Sequence, residues 1–253
     1  MRRAGEAKGA ETMRLLLHAC CGPCTLEPLR LLLEEGHDIA IAYMNSNIHP
    51  RAEYEHRRDT LLAFAREQDI EVVEGVYDPQ AWARATAEFA ADPDMRPWRC
   101  RACYRLRLDE ACDYALAREF EGVATTLTVS PYQYTETIAE ELAAACALRG
   151  LEPVFRDFRE QYPQATRRSK ALGMYRQNYC GCSYSKVEAA EERLAAKEAR
   201  AAAKAARDAE LAPQRAAQAA ERAAKRAEKQ AYASKRAAQK AALKAYKRQH
   251  PGQ

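Results

Sequence analysis

After Ser185 the chain loses the means to build a hydrophobic core. Residues 187–253 hold 26 alanines among 67 positions, and the apolar side chains larger than alanine are Val187, Leu194, Leu211, Tyr232, Leu243 and Tyr246. From about Lys186 to Gln249 the segment is mostly Ala, Lys, Arg, Glu and Gln, all strong helix formers. It reads as a solvated helix, because its apolar residues are too sparse for a heptad seam. Pro213 breaks the pattern and predicts two helical arms. Charge divides at the same place. Residues 186–253 carry a net +9 and residues 1–185 a net −5, so the formal +4 of the 253-residue chain is a cancellation. A basic helix without a seam suits RNA phosphates, since each contact releases a counterion and needs no base readout.

The preceding part alternates between two periodicities. Apolar runs at 14–19, 39–44, 70–76, 122–126 and 153–158 read as strands. Patterns at helical spacing between them read as helices over about 25–35, 52–68, 80–91, 100–120 and 135–149. An irregular loop, residues 92–99, delivers Cys100 to the last-but-one of these helices. Alternating strands and helices predict an α/β domain, a parallel sheet with helices on both faces, over residues 13–187. The long Ala/Lys/Arg-rich tail follows over 188–253. Residues 1–12 are charged and lack the apolar stretch of a secretory signal. They read as a disordered leader, with Met13 an alternative start. No run of about 18 apolar residues occurs, so no membrane helix is expected, and the expected location is cytoplasmic.

Nine cysteines without an export signal point to metal or catalysis rather than disulfides. Seven are clustered. Cys20, Cys21 and Cys24 form CCxxC directly after the first strand, Cys100 and Cys103 form CxxC, and Cys180 and Cys182 form CxC. Cys112 and Cys146 stand alone in helical patterns and read as small buried apolar residues. Thiolates select zinc, copper(I) or iron–sulfur clusters. Seven exceed one tetrahedral zinc, and two adjacent metal centres suit them better. The turn after the first strand contains neither a GxGxxG nor a GxxxxGK[ST] motif, so no dinucleotide or P-loop nucleotide is indicated.

Six blocks in order resemble one family. They are His18-Ala-Cys-Cys-Gly-Pro-Cys24; Asn45-Ser-Asn-Ile-His-Pro50 with Glu53, Tyr54 and Arg57; Arg99-Cys-Arg-Ala-Cys-Tyr-Arg-Leu-Arg107; Thr125-Thr-Leu127 with Ser130-Pro-Tyr-Gln133; Phe155-Arg-Asp-Phe158; and Tyr175-Arg-Gln-Asn-Tyr-Cys-Gly-Cys182. Together they are similar to QueH, the cobalamin-independent epoxyqueuosine reductases, over roughly residues 13–187. The resemblance implies a nucleotide-hydrolase-like, Rossmann-type α/β fold. It implies reduction of epoxyqueuosine to queuosine at the wobble position of tRNA with a GUN anticodon, using a [4Fe–4S] cluster and a nearby second mononuclear metal ion, iron or zinc. Many relatives carry Asp where this chain has Cys24, which leaves the second metal open. The tail lies outside the family pattern.

On this reading the cluster is expected on Cys20, Cys21, Cys100, Cys103, Cys180 and Cys182, with Cys24 completing the metal-ligating set. Tyr104 and Tyr179 flank the cysteine motifs as proton donors or stacking platforms. Asp157, at a strand end, is the candidate general acid. Asn45, Asn47 and Glu53 would read the modified base, while Arg57 and Arg107, with Arg105 and Arg176, would hold anticodon phosphates. His18 would be a neighbour of the metal or a weak ligand. Electrons are expected from an external electron donor. Two other functions fit parts of the sequence: a zinc-stabilised RNA-binding module, and an ATP-dependent tRNA modification enzyme whose pyrophosphate loop CCGPC would have replaced.

Overall fold

The computed structural model describes residues 12–249; the expected leader therefore lies outside the described residues, Thr12 excepted. Five strands, β1 (Arg14–His18), β2 (Asp38–Tyr43), β3 (Val72–Glu74), β4 (Gly122–Thr125) and β5 (Glu152–Val154), form one sheet in the order β3-β2-β1-β4-β5. Every pairing is parallel. Seven helices connect or follow them: α1 (Gly22–Glu34), α2 (Arg51–Glu67), α3 (Pro79–Thr86), α4 (Arg96–Ala117), α5 (Thr135–Ala147), α6 (Tyr162–Ala171) and α7 (Ser183–Gln249). The expected α/β fold with helices on both faces and a long C-terminal helix is what the chain adopts.

The central strand shows why. Leu15, Leu16 and Leu17 are all fully buried, yet successive strand side chains point to opposite faces. Leu15 and Leu17 join residues of α1 and α2 in one core, and Leu16 joins residues of α4 and α5 in the other. A continuous apolar run is thus the mark of a strand covered on both sides. Strand order reverses at β1, which pairs with β2 on one edge and β4 on the other. That reversal opens a crevice beyond the carboxyl ends of β1 and β4, where open α/β sheets place their ligands.

Several boundaries move from the sequence reading. The third and fifth strands shrink to Val72–Glu74 and Glu152–Val154 because each is an edge with one partner, and pairing stops where that partner leaves. The helix expected to about residue 91 ends at Thr86 and gives way to a 3₁₀ turn, Ala87–Phe89. Residues 92–99 are not an irregular loop. Asp92 caps a short 3₁₀ turn and α4 already begins at Arg96, with Pro97 in its first turn where no N–H is needed. Pro213 does not divide the tail: α7 runs through it. A proline removes one hydrogen bond at a cost of about 3 kcal/mol. The unbroken run of helix formers on either side, with exposed carbonyls open to water, absorbs that loss. The chain divides into two units between Ala189 and Ala190, and among the described residues no helix is long and apolar enough to cross a membrane.

Candidate metal centre

The loop between β1 and α1 carries the first three thiols. Cys20 leaves the strand end, Cys21 sits in extended backbone as the N-cap of α1, and Cys24 lies in the first helical turn. Their sulfurs all fall within 4.8 Å of one another, with Cys20 and Cys21 Sγ 3.8 Å apart. The loop after β4 closes against them: Thr126 Oγ1 accepts from the Cys20 N–H at 3.3 Å. Gln177, from the segment before α7, donates its Nε2 to Cys21 Sγ at 2.9 Å and lies 3.9 Å from Cys24 Sγ. Hydrogen bonds from Cys21 and Cys24, aided by the charges of Arg107 and Arg57, hold the Cys20 thiol far below its usual range. Burial and the Cys20 neighbour push Cys21 up to about 12, and the two neighbouring thiols raise Cys24.

The other four thiols gather nearby. Cys100 and Cys103, three residues apart, share one face of the first turns of α4, while Cys180 and Cys182 lie just before α7. Cys103 and Cys182 pack with Trp82. The Ser185 N–H at the start of α7 points at Cys182 Sγ, 3.3 Å away, and Gln133 Nε2 lies 3.4 Å from Cys180 Sγ. Burial raises Cys100, and the neighbouring charges of Cys180, Cys103 and Cys182 raise it further. Gly181 makes the CxC turn possible. Its φ of +147° disfavours L side chains, and a Cβ there would come within 3.2 Å of Asn47 Nδ2 and 3.3 Å of an Arg57 nitrogen.

Two buried arginines join the parts. Arg57 is 1% exposed; its guanidinium binds Glu53 at 2.7 Å and donates to the carbonyls of Cys180 and Tyr179 at 2.7 and 3.2 Å. Arg107 is also 1% exposed and donates to Asn45 Oδ1 at 2.5 Å. Burial works against its charge, but Cys103, Cys20 and Cys180 outweigh that and raise its pKa. Arg107 thus faces thiols of both groups, and its Nε has no hydrogen-bond partner. The sequence reading expects both to hold anticodon phosphates; in this structure both guanidinia lie beneath the surface beside the protein's own groups, whereas a charged residue is usually exposed.

The remaining expected residues fall into place around this frame. Asn45 also donates to the Ala19 carbonyl at 2.9 Å and is 1% exposed, and Asn47 is buried with its Oδ1 unpartnered. Glu53 is taken up by Arg57 and by the Tyr175 hydroxyl at 2.7 Å. Asn45 and Glu53 therefore act on the protein itself. Tyr104 donates its hydroxyl to Gln133 Oε1 at 2.7 Å, and burial holds its pKa up. The Tyr179 hydroxyl donates to the His49 carbonyl, and its ring lies 5.1 Å from the Arg57 guanidinium. Both tyrosines thus position neighbours. Asp157 does not fit a general acid: Arg159 binds it at 2.9 Å and lowers its pKa, so it is an ionised carboxylate at neutral pH. His18 contacts Thr125 Oγ1 at 3.0 Å and the Met44 carbonyl at 3.3 Å. Burial lowers its pKa to about 3, so it is a neutral tie between strand ends. Arg105 is bound by Glu141 at 2.7 Å, and Arg176 donates to the Thr166 carbonyl at 3.2 Å.

Sequence reasoning missed Gln177, Gln133 and Thr126 as site residues, although each lies inside a quoted block. It also missed Glu110, which no local pattern marks. Burial against Gly75, where a Cβ would stand 2.3 Å from Glu110 Oε1, pushes this carboxyl up to about 7.

Seven clustered sulfurs, buried cations that face them, and an unpartnered Gln177 Oε1 fit a soft, thiolate-bound group; Cys20, Cys21 and Cys24 alone could hold a metal ion. Comparison with known proteins identifies the family. A family model described as Epoxyqueuosine reductase QueH matches residues 15–188. The chain is 30% identical over 176 residues to the epoxyqueuosine reductase QueH of Dehalococcoides mccartyi, covering 69% of this chain and 93% of that one. It is 32% identical over 190 residues to the Acinetobacter baylyi protein of the same name, 72% of this chain and 84% of the relative. With the Thermotoga maritima protein it shares 31% over 183 residues, 70% and 93%. The chain belongs to the epoxyqueuosine reductase family QueH and is, with its relatives, an oxidoreductase.

Proposed function

We propose that this chain reduces epoxyqueuosine to queuosine at the wobble position of tRNA with a GUN anticodon, in the cytoplasm, with electrons from an external donor. The observation that carries the reading is the trio Cys20, Cys21 and Cys24 just past the carboxyl end of β1, with the buried Arg107 under the influence of Cys20 and also of Cys103 and Cys180. Cys20, Cys21, Cys100, Cys103, Cys180 and Cys182, with Cys24 completing the set, would between them hold a [4Fe–4S] cluster and the second metal ion, and Cys20, Cys21 and Cys24 lie close enough to hold an ion by themselves. When bound, the cluster supplies single electrons and the second ion Lewis acidity toward the epoxide oxygen.

Converting an epoxide to an alkene consumes two electrons and two protons and releases water. The protein's own groups set the stage for this. Arg107 and Arg57 supply fixed positive charge where thiolates gather, in a buried site where charge acts strongly. Gln177 and Gln133 place N–H donors on Cys21 and Cys180, which fixes sulfur orientation and favours the thiolate form. Tyr104 holds Gln133 in place for that task. Residues 13–187 carry the chemistry on this reading. The test is anaerobic reconstitution with iron and sulfide, a chemical reductant, and mass analysis of nucleosides from epoxyqueuosine-containing tRNA. Conversion to queuosine is expected; intact epoxyqueuosine beside a fully loaded, reduced protein would sink the reading.

A further inference from the structure

The tail offers a feature that its composition hides. At about 100° per residue, the Lys and Arg side chains between Glu191 and Tyr246 fall on one side of α7. Thirteen of the fourteen, from Arg193 through Arg200, Arg207, Arg222 and Arg236 to Lys244, lie within a sector about 100° wide. Lys235 is the exception. Six of the seven acidic residues in the same span lie on the opposite half, and Asp208, the seventh, is bound to Arg215 at 3.2 Å. All thirteen basic residues are exposed. The stripe keeps the 3.6-residue period without drift, so over 51 residues it forms a straight basic edge about 77 Å long.

This arrangement opposes helix stability. Basic pairs four residues apart occur at Arg193–Lys197, Arg200–Lys204, Arg222–Arg226, Lys225–Lys229, Arg236–Lys240 and Lys240–Lys244, against two opposite-charge pairs at that spacing, Lys204–Asp208 and Glu221–Lys225. Like charges at that spacing destabilise a helix about as much as opposite charges stabilise it. A helix needed only as solvated structure would interleave its charges. Aligned cations gain when a regular polyanion lies against them.

We propose that this stripe is a docking edge for an RNA backbone, laid along the phosphates of the tRNA whose wobble base the first unit reduces. The inference rests on the reading of the substrate as tRNA. An anionic membrane is the less suitable occupant, because a helix lying in a lipid surface needs a face of large apolar residues opposite its basic one. Here the opposite face carries Glu191, Glu198, Glu210 and Glu228 among alanines.

The test moves charge without changing composition. Shifting a basic residue two positions carries it about 200° around the axis. In the full-length chain, four exchanges do this: Arg222→Ala with Ala224→Arg, Lys229→Ala with Ala231→Lys, Arg236→Ala with Ala238→Arg, and Lys240→Ala with Ala242→Lys. Circular dichroism checks that helix content is kept. Binding to an unmodified tRNA transcript is then measured from low to high potassium chloride. The transplanted chain should bind about 10³-fold more weakly at 0.1 M salt, with the log–log salt slope flattened by about 3 units, as expected for four lost phosphate contacts. Equal affinity and slope would overturn the stripe and leave charge number alone. Tighter capture by phosphatidylglycerol vesicles than by tRNA would overturn the choice of partner. Reduction of epoxyqueuosine is scored separately on the unaltered chain. If that fails while binding still depends on the stripe, the reaction is wrong and the docking edge stands.

Discussion

Replacing Arg107 with methionine should affect the metal-free and the metal-loaded protein in different ways. In the metal-free protein burial favours the protonated form of Cys103 and Cys180, and Cys20 keeps the hydrogen bonds of Cys21 and Cys24 and the charge of Arg57 beside it. The loss is then the hydrogen bond to Asn45 Oδ1, at 2.5 Å and buried, which costs about 1–3 kcal/mol. Against it stands relief from burying a guanidinium, an effective penalty of several kcal/mol per ion. The two nearly cancel, and the metal-free variant should unfold in urea within about 1 kcal/mol of the parent. On the proposed reading, a bound metal would fix Cys103, Cys20 and Cys180 as anions. Removing the cation that faces them would then cost about 3–5 kcal/mol, or a loss of metal affinity of roughly 10²-fold to several 10³-fold. Anaerobic titration with a competing chelator reads that loss, and urea denaturation reads the first quantity. A metal-free protein destabilised by several kcal/mol, with chelator resistance unchanged, would refute the reasoning and make Arg107 a packing pillar.

Two further outcomes follow from individual side chains. Glu110 holds its proton to about pH 7 in the folded state against 4.5 for the unfolded group. Stability is therefore lost as pH rises from about 4.5 to about 7. Glu110→Gln should match the parent at pH 4.5 and exceed it at pH 8 by about 1–2 kcal/mol after allowance for solvent screening. Urea midpoints at the two pH values measure this, and an equal gap at both would show the carboxyl ionised throughout. Gln177→Leu removes the donor to Cys21 Sγ without touching the sheet. The bound metal should be lost to a chelator about 10-fold to 100-fold faster, the weight of a charge-assisted hydrogen bond, while circular dichroism stays unchanged. Unaltered release would remove Gln177 from the site.

What could be read in advance, and what could not, follows from where each signal resides. The core strands were legible because burial on both faces writes a continuous apolar run, as in Leu15, Leu16 and Leu17. Edge strands were overextended because their ends depend on where a partner strand stops, which no local pattern records. The thiols were legible because ligand spacing is local: three in one turn, two across one helical turn, two astride a glycine. Arg57 and Arg107 misled for the opposite reason. Their setting depends on burial beside groups far away in the sequence, as where Arg57 donates to the Cys180 carbonyl more than a hundred residues on. The two-arm tail failed because Pro213 was weighed by itself, whereas the helix on both sides decides.

Pro213 has one more consequence. It stands two residues before Arg215 and so about 200° around the axis from it, on the acidic side of α7. Having no N–H, it leaves the Ala209 carbonyl without its helical partner, and bends at proline open the wall that carries the ring. The easy direction of curvature is therefore toward the basic edge. Mutual repulsion among the cations resists that curvature until phosphates neutralise them. On the docking proposal, flexure of the tail and occupancy of its edge would be one coupled event: cations left bare oppose the bend, and cations neutralised by phosphates no longer do.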